Sequence, residues 1–210
     1  MKVSAGRDEV LAGLDVSRET IERLDCYAGE LVKWTRRINL VAKSTVENLW
    51  ERHIADSLQV AHRIETQDQT YCDIGSGGGL PGLIVAAVLK EKRPHISVNL
   101  VESDQRKCAF LLSTARAMDL SINVISDRVE NVLPMKADVM SARALAELSK
   151  LLTYCQPHLA EGGRCLFLKG ASYRQEVKAA LEFWRFESKE WVSRTNDQSV
   201  LLELRNIANV

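Results

Sequence analysis

The sequence lacks an uninterrupted apolar run that approaches the roughly 20 residues of a membrane span. Its first nine residues contain no apolar core of the kind found in signal peptides. We therefore expect no membrane partner and a cytoplasmic location. The motifs H-E-x-x-H, C-x-x-C and G-x-S-x-G are also missing, so we expect no bound metal and no serine or cysteine nucleophile.

The sequence has no net charge, because 28 basic residues balance 28 acidic ones. This balance argues against a protein that coats itself in nucleic acid by bulk electrostatics, so any such contact must be local. The five cysteines are odd in number and widely spaced, which is typical of reduced core thiols in a cytoplasmic protein. A chain of 210 residues is long enough for one domain with a real core and a small appendage.

What the sequence does contain is a glycine-rich loop at residues 73–82, DIGSGGGLPG, with five glycines between Gly75 and Gly82. Tyr71 and Cys72 precede it as part of a short apolar strand, and residues 83–89 follow it as an apolar helix. Glycine lets the backbone turn tightly and approach a ligand, and the helix start offers free N–H groups. The loop therefore predicts a nucleotide-type cofactor site on an α/β sheet.

Two cofactor classes are compatible with the glycine spacing. The dinucleotide pattern G-x-G-x-x-G is matched by Gly77, Gly79 and Gly82. Glu102 follows at about the distance at which this pattern places its ribose-binding acid. Asp73 would repel a pyrophosphate, however, and suits a ligand with an amino group and a sulfonium, which is S-adenosylmethionine. Pro81 restricts Leu80 to an extended backbone and moves the helix start past the loop. We favour S-adenosylmethionine, with NAD as the alternative.

Strand-like and helix-like stretches alternate after the loop. Strands are expected at 71–74, 97–101, 122–125, 138–140 and 164–168, with a closing pair at 189–192 and 200–204, and helices at 145–154 and 176–183. This alternation predicts an α/β, Rossmann-like sheet of about seven mostly parallel strands. Upstream, residues 17–38 have helical spacing with Ser17 as N-cap, and a second helix is expected near Thr45. We therefore divide the chain into an N-terminal helical extension, 1–66, and a main domain, 67–210.

Chemically active side chains follow the predicted strands, where doubly wound sheets bind ligands: Asp73, Glu102, Glu130, Arg143 and Lys169. The Glu102 carboxylate can accept hydrogen bonds from two ribose hydroxyls. Val129 and Glu130 stand where an adenine ring would lie. The planar Arg143 guanidinium could hold a carboxylate or a base edge.

Basic residues are densest in the extension: Lys33, Arg36, Arg37 and Lys43, with Arg52 and His53 nearby. By itself this pattern is typical of a solvated helix face, and His53 between Arg52 and Asp56 is typical of a packed histidine beside a helix salt bridge.

Taken in order, these motifs resemble the bacterial small-subunit ribosomal RNA guanine-N7 methyltransferase family, also called glucose-inhibited division protein B. The resemblance begins at residues 31–40, includes Arg52-His53-Ile54-Ala55-Asp56-Ser57 and the glycine loop, and continues through 102–103, 128–130, 142–144 and 168–170. The loop and the 52–57 block, in that order, carry most of its specificity. The last thirty residues match weakly, so no function is transferred to them.

The resemblance implies a class I methyltransferase that transfers a methyl group from S-adenosylmethionine to N7 of guanine 527, in the family's numbering, of 16S ribosomal RNA. It implies cofactor contacts at Gly75, Leu80, Val129, Glu130 and Arg143, to which our interpretation of the residues adds Asp73, Gly77, Gly79 and Glu102. No general acid or base is expected, since guanine N7 already carries a lone pair. Arg143 and Lys169 are positioning candidates.

The resemblance also turns the basic residues into RNA-binding candidates: Lys33, Arg36, Arg37, Lys43, Arg52 and His53. Because the chain is neutral, we expect it to act on RNA within the 30S subunit rather than on naked RNA. We also expect a monomer. Three alternatives remain: a methyltransferase of a small molecule or protein, an NAD-dependent oxidoreductase, and a non-catalytic RNA-binding protein.

Overall fold

The computed structural model describes residues 6–12, 16–193 and 197–210. Its centre is one seven-stranded sheet in the order β3-β2-β1-β4-β5-β7-β6. The strands are β1 Thr70–Ile74, β2 Ser97–Val101, β3 Asn123–Ile125, β4 Ala137–Arg143, β5 Leu159–Lys169, β6 Trp184–Val192 and β7 Val200–Asn209. The first five are parallel, and β7 runs antiparallel between β5 and β6. The expected Rossmann-like α/β fold is confirmed.

Within the described residues, seven α-helices accompany the sheet. They are α1 Arg7–Leu11, α2 Arg18–Thr35, α3 Ala55–Ala61, α4 Gly82–Lys92, α5 Gln105–Ala117, α6 Leu148–Cys155 and α7 Tyr173–Ala180. Short 3-10 turns lie at Lys43–Thr45, Val129–Asn131 and Gln156–His158, and a π-helical turn, Trp50–Ile54, leads into α3. None of the helices in the described ranges combines the length and the apolarity needed to span a bilayer.

The chain order of the sheet reverses between β1 and β4, and this switch point positions the site. From β1 the chain moves outward through β2 and β3, then returns to the other side of β1 as β4. In open α/β sheets the crevice at such a reversal, beyond the carboxyl ends of the strands, is where ligands bind. Ile74 at the end of β1 pairs with Val101 and Ala142, so the residues that follow these three strands are brought together.

The N-terminal helices pack directly onto this sheet. The Ser17 hydroxyl accepts a hydrogen bond from the Thr20 N–H at 3.0 Å, which confirms the predicted N-cap of α2. The buried face of α2, with Leu24 and Leu31, belongs to the same hydrophobic cluster as the whole apolar stretch of α4. The extension and the main domain thus share one core, and the boundary at 66 remains a proposal about chain organisation.

Two predicted helices have different bounds in the structure. The helix expected at 145–154 begins only at Leu148, because Ala144 has a left-handed φ of 52° and turns the chain away first. The helix expected to reach 183 ends at Ala180. Phe183 is 63% exposed and Trp184 is buried, so extending α7 to residue 183 would bury little more apolar surface. The chain instead begins β6 at Trp184.

Upstream, the helix expected near Thr45 is a single 3-10 turn, and the regular helix starts later, after the π-helical turn. Helix α1 was not predicted from the sequence; its helical turn buries no residue fully.

Candidate cofactor and substrate site

The glycine loop leaves β1 through residues with left-handed backbones. Gly75, Gly77 and Gly79 have φ angles of 64°, 52° and 74°. A Cβ on Gly75 would lie 2.7 Å from Leu145 Cδ1, a contact that the leucine side chain can relieve by moving, so it is the left-handed backbone that favours glycine there. Leu145 follows β4, and its side chain therefore covers the start of the loop.

Asp73 holds the loop from below through a buried network. The Ser141 hydroxyl donates to Asp73 Oδ1 at 2.6 Å, and the Gly82 N–H donates to Oδ2 at 3.2 Å. The Tyr71 hydroxyl lies 2.6 Å from Ser141 Oγ and donates to it, since the serine proton points to Asp73. Ser76 Oγ donates to the Asp73 carbonyl at 2.9 Å. Burial raises the pKa of Asp73 to about 6, although these hydrogen bonds oppose the shift.

This network changes the role that Asp73 plays. Its side chain is fully buried and its oxygens face the protein, so it shapes the loop and does not lie open to a ligand. It also places a carboxylate at the N-terminus of α4, where a pyrophosphate would otherwise bind. The arrangement therefore disfavours a dinucleotide for a physical reason that spacing alone did not give.

Glu102 holds the loop from the side of β2. Its Oε2 accepts from the Gly77 N–H and its Oε1 from the Asp104 N–H, both at 2.8 Å. A carboxylate has about four lone-pair sites, so one per oxygen remains. Glu102 is thus oriented by the backbone and still has acceptors for a pair of ribose hydroxyls.

The two residues predicted near an adenine ring follow β3, on the same side of the switch point. Val129 is buried and Glu130 is exposed, both in the 3-10 turn Val129–Asn131. His158 Nε2 lies 3.2 Å from the Val129 carbonyl and anchors this turn. The turn presents one apolar and one acidic side chain at the edge where β2 and β3 end.

Arg143 stands at the end of β4, beside the start of the glycine loop. Its Nη2 donates to Nδ1 of His53, while its Nη1 is buried and has no hydrogen-bond partner. Burial lowers the pKa of Arg143 from its usual value, and nearby acids including Asp56 and Asp73 oppose that shift. A buried guanidinium nitrogen without a partner suits a carboxylate such as the one on S-adenosylmethionine.

His53 is held by hydrogen bonds on both ring nitrogens. Arg143 can only donate, so Nδ1 is the acceptor, and Nε2–H donates to Thr45 Oγ1 at 2.8 Å. The Thr45 hydroxyl in turn donates to the Ala42 carbonyl at 2.8 Å. Burial, reinforced by the charge of Arg143, lowers the pKa of His53 to about 3. His53 is therefore a neutral connector whose lone pair is already used.

Lys169, at the end of β5, is also buried and engaged. Its ammonium donates to the Ala146 carbonyl at 3.0 Å and pairs with Glu176 at 2.5 Å. Glu176 also accepts from the Ser172 hydroxyl and the Leu148 N–H. Lys169 thereby ties β5 to the loop before α6 and to α7.

A cleft of about 520 Å³ collects several of the predicted residues: Arg52, His53, Arg143 and Lys169. It adjoins the glycine loop through Arg143 and Leu145. Four basic candidates do not line it and lie exposed at and after the end of α2: Lys33, Arg36, Arg37 and Lys43. The cleft is therefore formed by residues of both the extension and the sheet.

Three contributing residues were missed in the sequence: Tyr27, Thr45 and Ser141. Tyr27 donates to the Gly78 carbonyl at 2.6 Å from within α2. Its position, three residues after Leu24 and four before Leu31, marks it as part of the buried face, and a buried tyrosine hydroxyl requires a partner. Thr45 and Ser141 carry no comparable signal, since single hydroxyls are common in turns and strands.

Comparison with known proteins agrees with the cofactor class that the site geometry favours. The profile of the family described as rRNA small subunit methyltransferase G matches residues 20–201. Ribosomal RNA small subunit methyltransferase G of Ruegeria sp. (strain TM1040) is 47% identical, over 94% of this chain and 96% of its own. The protein of that name from Paramagnetospirillum magneticum is 46% identical, over 97% of each chain.

Solved structures resemble the fold at low sequence identity. The M. jannaschii TYW2 structure in complex with AdoMet is 12% identical, covers 84% of this chain and 80% of its own, and superposes with a TM-score of 0.56. The expected cofactor is confirmed, and the protein is an S-adenosylmethionine-dependent methyltransferase. The chain belongs to the rRNA small subunit methyltransferase G family.

Proposed function

We propose that this enzyme methylates N7 of a single guanine of 16S ribosomal RNA, guanine 527 in the family's numbering. Family membership supports the ribosomal RNA substrate. The choice of N7 rests on one observation: His53, the histidine that lines the cleft, uses both ring nitrogens in hydrogen bonds and is not an available proton acceptor. Methylation of an N–H or O–H position would need such an acceptor, whereas N7 presents a lone pair directly.

Three titratable groups of the cleft, His53, Glu176 and Asp56, are each engaged by neighbouring groups. Both nitrogens of His53 are in hydrogen bonds, and its lowered pKa, about 3, makes it a poor base. Glu176 is paired with Lys169, and Asp56 accepts from Ser193 at 2.6 Å. Glu147, at the rim, is solvent-exposed. These groups orient a substrate by shape and by donors, and catalysis depends on alignment.

The residues around the glycine loop fit S-adenosylmethionine, which supplies an electrophilic methyl group. Glu102 has acceptors for the ribose, and Arg143 has an unpaired donor for the carboxylate. Leu80 and the backbones at Gly75, Gly77 and Gly79 form the floor, and Val129 and Glu130 border the adenine side. Asp73 contributes through the loop that it holds and through its negative charge when ionised.

RNA would approach over the exposed basic residues and enter the cleft past Arg52 and His53. Four cations give limited affinity for naked RNA, and a neutral chain adds no general attraction. We therefore infer that the enzyme acts as a monomer on RNA whose shape is already ordered in the 30S subunit.

The deciding experiment is transfer of labelled methyl groups from S-adenosylmethionine to small subunits from a strain lacking this protein, with naked 16S RNA in parallel. We expect 7-methylguanosine at one site and a preference for the particle. No label in either RNA, despite cofactor binding, would redirect the search to small-molecule or protein acceptors. Lys169→Ala should reduce turnover; intact RNA affinity and turnover in that variant would remove Lys169 from the positioning residues.

A further inference from the structure

Tyr27 connects the N-terminal extension to the centre of the cofactor loop. It lies in the middle of α2, is fully buried, and donates its hydroxyl proton to the Gly78 carbonyl at 2.6 Å. Burial raises the pKa of this phenol well above its usual range, so the hydroxyl remains a donor at all relevant pH values. The loop is thus held by the sheet through Asp73 and Glu102, and by the extension through Tyr27.

The chain that follows α2 covers the same glycine. Leu31 Cδ1 and the Leu40 carbonyl oxygen each lie 3.4 Å from the point that a Cβ on Gly78 would occupy. Residues 27–40 therefore form one wall against the middle of the loop. A displacement of this wall would remove the hydrogen-bond partner of a buried carbonyl, which is costly.

The same part of the chain also reaches the other side of the site. Thr45 joins the Ala42 carbonyl to His53, and His53 joins Arg143. Residues 27–45, which we call the coupling segment, hence reach the cofactor site at two points, directly at Gly78 and through His53 at Arg143. The exposed basic residues of this segment are Lys33, Arg36, Arg37 and Lys43.

We propose that the coupling segment links RNA binding on its exposed side to cofactor affinity on its buried side, with Tyr27 as the positioning residue. The inference rests on the proposed function, because RNA is the ligand assigned to the basic side. Bound RNA that fixes the coupling segment in its present conformation also fixes Gly78 and Arg143 in their present positions. By thermodynamic linkage, the cofactor must then raise RNA affinity by the same factor.

The test measures binding of S-adenosylhomocysteine, which cannot be turned over, with and without saturating unmethylated small subunits. For the wild type we expect the particle to tighten this binding roughly tenfold, within the usual range of coupling between sites. Particle affinity measured with and without S-adenosylhomocysteine should change by the same factor. A factor of one, with particle binding intact, overturns the coupling alone. Absence of particle binding overturns the proposed function as well.

Tyr27→Phe removes the hydroxyl and keeps the ring. We expect this variant to bind S-adenosylhomocysteine several-fold more weakly and to lose most of the coupling factor. The matched control is Tyr173→Phe, whose hydroxyl donates to Glu190 at 2.8 Å, between α7 and β6; its coupling factor should equal that of the wild type. An undiminished factor in Tyr27→Phe overturns the proposal.

Thr45→Val tests the second contact and serves if Tyr27→Phe fails to fold. It keeps the shape of the side chain and removes the hydroxyl between Ala42 and His53. We expect a reduced coupling factor, together with a lower melting temperature of the ligand-free protein, because the buried Nε2–H of His53 loses its acceptor. A full coupling factor in this variant contradicts the two-point contact.

Discussion

Asp73 shows how one buried carboxylate organises a cofactor loop. It accepts hydrogen bonds from Ser141 on the neighbouring strand and from Gly82 at the start of α4. The strand end, the loop and the helix are therefore joined at a single side chain. Burial outweighs these hydrogen bonds, so the Asp73 carboxyl group is easier to protonate in the folded protein than in the unfolded chain.

This difference predicts a stability that falls as the pH rises through the acid range. The pKa of Asp73 is raised from 3.8 to about 6, so its stabilising contribution is complete below the unfolded value and is lost by about pH 6. Linkage gives a loss of about 3 kcal/mol in the free energy of unfolding. Urea unfolding of the wild type and of Asp73→Asn between pH 4 and pH 7 measures this loss. The difference in the free energy of unfolding between the two proteins should change with pH.

Two further results sharpen this test. Asn at position 73 loses the bond from Gly82, which adds an offset that does not depend on pH. Ser141→Ala removes a hydrogen bond that lowers the pKa of Asp73, so its window of falling stability should extend above that of the wild type. A difference between wild type and Asp73→Asn that stays constant with pH would contradict the assignment.

Arg143 predicts a substitution that conserves charge and still impairs the enzyme. The guanidinium uses one nitrogen for His53 and leaves the other for the cofactor carboxylate; a lysine cannot do both. Arg143→Lys should weaken S-adenosylhomocysteine binding by about 10- to 100-fold, corresponding to one charge-assisted hydrogen bond. Arg52→Lys, the same change at an exposed arginine of the cleft, should leave this affinity unchanged in calorimetry. Equal effects of the two changes would exclude the proposed contact.

At the scale of elements, a buried ion pair joins the linker before β1 to the sheet. Arg164 on β5 donates two nitrogens to the Asp68 carboxylate at 2.7 and 2.9 Å, and both side chains are at most 3% exposed. Arg164 also donates to the Arg63 carbonyl at 2.8 Å. The segment between α3 and β1 is therefore anchored to the sheet.

Arg164→Met should destabilise the fold by about 3–5 kcal/mol, because Asp68 keeps a buried charge without its partner. Arg205→Met is the control: Arg205 pairs with Glu65 and Glu203 but is 37% exposed, so its loss should cost about 1 kcal/mol or less. Denaturant midpoints compare the two. Combining Asp68→Asn with Arg164→Met should recover much of the loss, and failure to recover any of it would argue against charge burial as the cause.

The sheet was largely predictable from the sequence, because apolar strands alternate with helices and the glycine loop identifies β1. The ends of elements were less so, since Ala144 delays α6 by a backbone conformation that alanine rarely adopts. The strand ends correctly indicated Glu102 and Arg143 as neighbours of the loop. The sequence could not reveal that Asp73 faces inward. It also could not reveal that Tyr27 and Thr45 reach the site, because these two contacts depend on how the extension packs.

At the scale of the whole molecule, the balance of charge limits how RNA is held. The cations at and after the end of α2 are exposed, while the total charge is zero. Binding should therefore depend on salt through a few contacts. For four phosphate contacts the slope of log affinity against log salt is about −3.

Replacing Arg36 and Arg37 together by alanine should reduce that slope by about 1.5. It should also weaken particle binding, with S-adenosylhomocysteine affinity of the free enzyme unchanged. Arg185→Ala, on the edge strand β6, is the control, and its slope should match that of the wild type. Filter binding at several salt concentrations measures both, and an unaltered slope in the double variant would place the RNA elsewhere.

The core shared by the extension and the sheet has a consequence for synthesis. Helix α2 leaves the ribosome with Leu24, Tyr27 and Leu31 uncovered, because the α4 residues that bury them are made about fifty residues later. Helix α3 also packs against β7, one of the last elements translated. The nascent chain must keep the apolar surface of α2 from aggregating until α4 has emerged, and that of α3 until β7 has emerged. Slow translation should therefore increase its dependence on chaperones.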